Sequence, residues 1–336
     1  MRTPSKSIFV SILMVITLIG MSLSAIPTNH TKELVEEDTK FFSHTNVNFE
    51  GYQEDSIYSY STLTSGGYTN CVITEDKRVV CWGNNDHGKR GLGGGIDNAS
   101  VTPVGKAGPW IVGNLSGGMV EVSSGGWSTC SLKQTGEIWC WGGGEYGQLG
   151  SGNDVCQGST GSWSCEQSQN HPPVKVSLPP GRTAVSLSDA NQAHFCAILD
   201  NGDGICWGWN ENGQLGDGTV CTGGNYWFDN SNPTPAGCNA RNGRYTPAVI
   251  DDSNFPANSS FISISMGQRH SCGIIDNNDL YCWGQNNYGQ LGIGVSNFQN
   301  YPTPQFVASN VIAVGTGDQH SCALYEDQNV KCWGQN

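Results

Sequence analysis

The pattern Cys-x9-Cys-Trp-Gly occurs five times in the chain: at Cys71 and Cys81, Cys130 and Cys140, Cys196 and Cys206, Cys272 and Cys282, and Cys322 and Cys332. Repetition at intervals of 50 to 76 residues constrains the fold before any local propensity does. A repeat is one supersecondary unit that buries its apolar face only against its neighbours. The copy from Cys130 to Gly150 is the fullest: a cysteine, a short apolar strand, a turn, a second cysteine followed by Trp141-Gly142, and then Gly147-Gln148-Leu149-Gly150.

Inside each unit the pattern is that of a β-meander. An alternating strand precedes the first cysteine, as in Val120 and Val122, Ile262 and Ile264, and Ile312 and Val314, with Val185 and Leu187 shifted by one residue in the third copy. Gly66, Gly125, Gly267 and Gly317 stand five residues before the cysteine, with Asn191 in the third copy. That pairing of residue types predicts a turn with positive φ. A hairpin follows, with Gln134-Thr135-Gly136 at its tip and equal counts of residues on either side, so the two cysteines face each other across neighbouring strands. Opposed cysteines on paired strands are close enough to bridge. The spacing of nine is a hairpin staple, unlike the shorter ligand spacing of zinc knuckles.

Trp82, Trp141, Trp207, Trp283 and Trp333 sit in one register, each followed by glycine, and are expected in the core between sheets. Gly147-Gln148-Leu149-Gly150, Gly213-Gln214-Leu215-Gly216 and Gly289-Gln290-Leu291-Gly292 close the units, and the first copy departs with Gly88-Lys89-Arg90-Gly91-Leu92-Gly93. With His320-Ser321-Cys322-Ala323-Leu324, the turn, Cys-Trp-Gly-x-Asn and Gly-Gln-Leu-Gly, the unit resembles the regulator of chromosome condensation repeat over residues 57–336. The resemblance implies an all-β fold, a β-propeller of four-stranded blades, with about five blades present here as part of a ring of usually seven. The last repeat reads as cut short at Asn336. His194, His270 and His320 match the family's histidine, and Thr69 and Ser128 replace it in the other copies, which points to a structural hydrogen-bonding role. The nuclear members lack the paired cysteines. As an exported variant stapled in each blade, the chain would gain about 3 kcal/mol per bridge on the chain-entropy account.

Compartment is read from the N-terminus. Arg2 and Lys6 precede an apolar run from Ile8 to Ile19, and Ser22, Ser24 and Ala25 close it. This is the layout of a secretory signal peptide over residues 1–25, with an uncleaved membrane anchor as the alternative. Either arrangement puts the repeats outside the cytoplasm, secreted or at the cell surface, where disulfides persist. Residues 26–56 carry the acidic run Glu33 to Asp38 and read as an acidic linker. The formal net charge of −13 and the lack of a basic cluster exclude nucleic acid as a partner.

No catalytic, cofactor or metal motif is present: neither Gly-x-Ser-x-Gly, nor His-Glu-x-x-His, nor a phosphate-binding glycine-rich loop followed by lysine. The individual parts are two insertions. Ser151 to His171 holds Cys156, Trp163 and Cys165, and Asp217 to Tyr245 holds Cys221, Tyr226-Trp227-Phe228 and Cys238. Each is expected to carry its own disulfide. Both follow Gly-Gln-Leu-Gly, so equivalent repeats would place them on one face, with Trp163, Tyr226, Trp227 and Phe228 as candidate partner-binding residues. Asn98, Asn114 and Asn258 lie in Asn-x-Ser sequons, glycan sites if the host glycosylates. These readings lead to a non-enzymatic scaffold that binds a protein or glycan through its loop face. The alternatives are a secreted enzyme inhibitor similar to the propeller-type β-lactamase inhibitor, and a guanine-nucleotide exchange regulator like the nuclear members, which export and acidity disfavour.

Overall fold

The computed structural model describes residues 62–91, 110–113, 115–152, 171–222, 237–238 and 242–335. The expected signal or anchor segment and acidic linker lie outside these residues. So do Cys156 and Cys165, whose expected bridge is therefore not described, and Trp163, Tyr226, Trp227 and Phe228.

Each repeat copy forms one antiparallel sheet whose strands pair in chain order. The first comprises Leu63–Gly66, Thr69–Ile73, Val79–Gly83 and Trp110–Ile111; the second Met119–Ser124, Ser128–Lys133, Ile138–Gly142 and His171–Lys175. The third comprises Ala184–Leu187, His194–Leu199, Gly204–Trp209 and Gly243–Val249; the fourth Phe261–Met266, His270–Ile275, Leu280–Gln285 and Asn300–Ala308. Three strands of the fifth are described, Val311–Thr316, His320–Tyr325 and Val330–Gly334. Successive sheets pack face to face in chain order, the blade arrangement of a β-propeller.

The central hairpin explains the repeat. Cys71 is the register partner of Cys81, Cys130 of Cys140, Cys196 of Cys206, Cys272 of Cys282, and Cys322 of Cys332. All five pairs are bridged, with Cα atoms 4.0 to 4.1 Å apart. Four of these bridges are fully buried, whereas Cys332 of the fifth lies on a strand that is largely exposed, because no further sheet among the described residues covers it. The hairpin tip returns with positive φ at one position in all five copies, Lys77, Gly136, Gly202, Asn278 and Gln328. Each of these amides donates to the carbonyl three residues earlier, for example Gly136 N to Lys133 O at 2.8 Å.

The glycines before the first cysteine correct an expectation. Gly66, Gly125, Gly267 and Gly317 are absent from the positive-φ residues, as is Asn191. Glycine stands there because a neighbour approaches too closely for a Cβ. One on Gly125 would lie 2.6 Å from Gln192 O of the next sheet, and one on Gly267 would lie 2.6 Å from Gly317 O and collide with the His270 ring. The constraint is steric contact between sheets rather than local turn geometry.

The sheets are joined by one recurring junction. Trp141, Trp207 and Trp283 are fully buried, and each indole Nε1 donates to a main-chain carbonyl of the preceding unit: Trp141 to Lys89 at 2.6 Å, Trp207 to Gln148 at 3.0 Å, Trp283 to Gln214 at 2.9 Å. Half-buried Trp333 repeats the bond to Gln290 at 2.9 Å. The acceptor is thus always the second residue of Gly-Gln-Leu-Gly, which fixes the register of the divergent first copy as Gly88-Lys89-Arg90-Gly91. Where that residue is glutamine, its Oε1 accepts the amide two residues earlier, as Gln214 accepts from Asn212 N at 2.8 Å. Lys89 has no such acceptor and instead donates Nζ to the carbonyls of Gly67 and Gly126. The asparagine three residues after the tryptophan caps the same turn: Asn210 Oδ1 accepts Leu215 N at 3.1 Å and Asn286 Oδ1 accepts Leu291 N at 3.2 Å.

Two buried polar devices reinforce the junctions. His194 Nε2 bonds Ser271 Oγ at 3.0 Å and His270 Nε2 bonds Ser321 Oγ at 2.9 Å, each reaching the next sheet. Both rings are fully buried, and burial pushes each pKa down to about 3, helped at His270 by its histidine neighbours. His320 is exposed, on the same uncovered fifth sheet. At the second junction Glu121 Oε2 accepts Leu187 N of the third sheet at 2.6 Å, while Oε1 is enclosed without a partner. Burial raises the Glu121 carboxyl to about 8, and nearby Asp189 adds to the rise.

Candidate functional site

In an antiparallel meander the turn joining strands one and two and the loop joining strands three and four lie at the same end of the sheet. All five turns, every Gly-Gln-Leu-Gly loop and the described roots of both insertions therefore share one face. The residue preceding the histidine position is the tip of the turn, and its carbonyl accepts the amide of the residue after the third-strand Trp-Gly. Trp127 O accepts Gly143 N and Arg269 O accepts Gln285 N, both at 2.9 Å. The tip is thus rigidly held, while its side chain differs in each copy: Tyr68, Trp127, Ala193, Arg269 and Gln319.

On this face the half-buried rings touch in a continuous row that crosses three sheets. His87 meets Trp127 with centroids 4.4 Å apart, Trp127 meets Tyr146 at 6.2 Å, and Tyr146 meets Trp209 at 5.7 Å. The row ends on a cation from the fourth sheet, with the Arg269 guanidinium 5.0 Å above the Trp209 ring. Trp127 is further tied to the third sheet through Nε1, which donates to Gln192 Oε1 at 3.4 Å. Aromatic contacts at these separations contribute about 0.5–1.5 kcal/mol each beyond area burial, so the row is ordered before any partner arrives. Tyr68, Tyr288 and Phe298, which belong to the turns and loops of the same face, are exposed, Phe298 by 89%.

The roots of both insertions lie against this row. Gly243, at the return from the second insertion, is the register partner of Trp209, and a Cβ on it would collide with the Tyr146 carbonyl. That root is anchored by an ion pair of Arg244 Nε with the nearly buried Asp217 carboxylate at 2.6 Å, by Thr219 Oγ1 donating to Asp217 Oδ1 at 2.6 Å, and by the expected Cys221–Cys238 disulfide. Gly152 N at the root of the first insertion donates to Tyr245 O at the end of the second, at 2.8 Å. The two insertions thus spring from hydrogen-bonded neighbouring positions.

Among the described residues the sequence reading overlooked Trp127, Tyr146, Trp209 and Arg269, because attention to long loops passes over short turns. The available signal was variability inside an otherwise fixed frame. The slot before the histidine and the slot before the first glycine of Gly-Gln-Leu-Gly, which holds His87, Tyr146, Asn212 and Tyr288, change from copy to copy while their flanks repeat.

The repeat described as regulator of chromosome condensation (RCC1) repeat matches residues 135–197 and 277–324, and a second family of the same description matches 61–89, 119–148 and 261–290. The chain belongs to the regulator of chromosome condensation repeat family. Similar proteins include the ultraviolet-B receptor UVR8 of Arabidopsis thaliana, 25% identical over 241 residues that cover 71% of this chain and 44% of the receptor. Human RCC1 domain-containing protein 1 is 28% identical over 178 residues, covering 48% of this chain and 43% of that protein. The chain spans less than half the length of these relatives. Among solved structures, human WBSCR16 superposes with a TM-score of 0.62 at 19% identity, covering 84% of this chain and 63% of that one. Prp20p of Saccharomyces cerevisiae superposes with 0.59 at 20% identity, covering 82% and 57%. Both are likenesses of fold, and they agree with the blade arrangement of this family member.

Proposed function

We propose that this member of the repeat family is an exported, non-enzymatic scaffold, secreted or held at the cell surface, that binds a protein or glycan partner through its loop face. The observation that carries the reading is the row His87–Trp127–Tyr146–Trp209, closed by Arg269 and lying at the roots of both insertions. Partly exposed tryptophan, tyrosine and arginine on a rigid frame are the residue types that dominate binding energy at interfaces. Trp163 and Tyr226 to Phe228 extend the same face in this proposal. Export is supported by the six disulfides of the described residues, which suit an oxidising compartment. The yeast propeller Prp20p is described by its binding to Gsp1p and histones, so protein recognition is a use to which this fold is put.

The test compares the full chain with Trp127→Ala and Trp209→Ala for capture of proteins and glycans from the surface and medium of the source cells, with each captured species identified and its affinity measured. Loss of one defined partner by both variants, with the native circular dichroism spectrum retained at the binding temperature, is the expected outcome. Equal capture by wild type and variants would sink the loop-face assignment.

A further inference from the structure

Arg269 stands apart from the other arginines of the described residues. Arg78 is paired with Asp76, Arg182 with Asp200 and Arg244 with Asp217, and Arg90 is buried in the first closing loop. Arg269 is half-buried on the loop face, its guanidinium lies on the Trp209 ring at 5.0 Å, its Nε is enclosed without a hydrogen-bond partner, and no carboxylate among the described residues pairs with it. Its backbone is held by the Gln285 amide, and glycine at position 284 admits that carbonyl, since a Cβ there would lie 2.6 Å from it. The backbone that carries the cation is therefore fixed by a hydrogen bond, and the guanidinium itself lies over an aromatic face.

With its guanidinium over the Trp209 ring and Nε enclosed, Arg269 keeps its terminal Nη groups for a partner, and the planar guanidinium is the group that matches a carboxylate with two parallel hydrogen bonds. Stacking also reduces the side-chain entropy that such a bond would otherwise cost. We infer that Arg269, backed by Trp209, is the anchor for a carboxylate of a protein partner, with apolar side chains of the same partner segment lying along Tyr146 and Trp127. The formal charge of −13 selects the kind of partner: a polyanionic glycan would be repelled along its length, whereas one aspartate, glutamate or C-terminal carboxylate in a neutral or basic segment meets Arg269, which has no ion pair among the described residues, at no such cost. This rests on the loop-face reading and deepens it.

A random-peptide display library panned on the full, oxidised chain tests it. The expected result is enrichment of peptides sharing an aspartate, glutamate or free C-terminus beside an apolar residue. A synthetic peptide from that set should lose roughly tenfold or more in affinity on Arg269→Gln, should also weaken on Arg269→Lys, which keeps the charge but loses the planar fork, and should bind more weakly at high salt. Replacing the peptide's carboxylate by an amide should weaken binding to the wild type and leave binding to Arg269→Gln unchanged. No enrichment, enriched peptides without a shared carboxylate, or equal affinity for wild type and Arg269→Gln overturns the inference. Peptides that need Trp127 but no carboxylate would overturn the anchor while leaving the loop-face reading in place.

Discussion

The indole of Trp283 donates to the main-chain carbonyl of Gln214 at 2.9 Å, across the junction between the fourth and third sheets, and Ser271 Oγ donates to the same oxygen at 2.9 Å. From the second repeat onward the tryptophan is therefore the bond that joins one blade to the last, and in the second to fourth it is also a fully buried core residue. The frame that carries the loop face consists of these junctions in series.

Trp283→Phe removes one of the two donors to that carbonyl and leaves a cavity where the larger ring stood. The expected loss is about 2–4 kcal/mol, combining one lost hydrogen bond with a packing defect. Urea unfolding under oxidising conditions measures it, and a variant as stable as the wild type would remove the indole from the junction.

Gly216 and Gly181 both have φ near +74°, but a Cβ on Gly216 would lie 2.7 Å from Trp283 Nε1, whereas Gly181 has open space around it. Alanine at Gly181 should cost only the left-handed penalty, about 1–2 kcal/mol. Alanine at Gly216 should cost clearly more, because the indole must shift. Matched melting curves separate the two terms, and equal losses would show that junction contact contributes nothing at this glycine.

Stability should peak near pH 6.5. The pKa values of His194 and His270 fall from 6.5 to about 3 on folding, so their contribution is present above pH 6.5 and is lost as pH drops toward 3. Glu121 rises from 4.5 to about 8, so the folded form binds the extra proton and stability declines as pH climbs from 4.5 to 8. The histidines outnumber the glutamate below 6.5, and the glutamate acts alone above it. Glu121→Gln should flatten the alkaline limb of a Tm-versus-pH curve and leave the acid limb in place; an unchanged alkaline limb contradicts the assignment.

Replacing Cys196 and Cys206 together by alanine opens a fully buried cross-strand bridge and should cost about 3 kcal/mol on the chain-entropy account. Because the flanking residues of the hairpin keep their backbone hydrogen bonds, the folded sheet should survive. Chemical denaturation with native circular dichroism checks both parts, and loss of the fold in water would mean that the bridge specifies the hairpin rather than stabilises it.

Much of the fold was legible from residue spacing. Equal arms around Gln134-Thr135-Gly136 place Cys130 opposite Cys140, since register within a hairpin is a matter of counting, and the same count pairs Cys71 with Cys81, Cys272 with Cys282 and Cys322 with Cys332. One tryptophan per unit beside that bridge marks the sheet that must be covered. The glycines misled. Gly125 looks like any turn glycine in a linear chain, and only the third sheet, whose Gln192 carbonyl would lie 2.6 Å from a Cβ there, reveals why a side chain is excluded. The register of Gly88-Lys89-Arg90-Gly91 was equally hidden, because the feature that aligns it is the indole of Trp141, from another unit.

The sequence by itself determined the repeat, the antiparallel hairpins and the cross-strand cysteine pairing, because these follow from short-range spacing and period-two alternation, and its motifs carried the resemblance to the family. Only the tertiary structure decided which side chains meet across the loop face. His87, Trp127, Tyr146, Trp209 and Arg269 come from the turns, loops and strand ends of four different sheets, and no local pattern encodes their adjacency. It arises when the junction bonds stack the sheets side by side and bring equivalent turn tips into one row, so the variable slots of separate repeats become neighbours on a single surface.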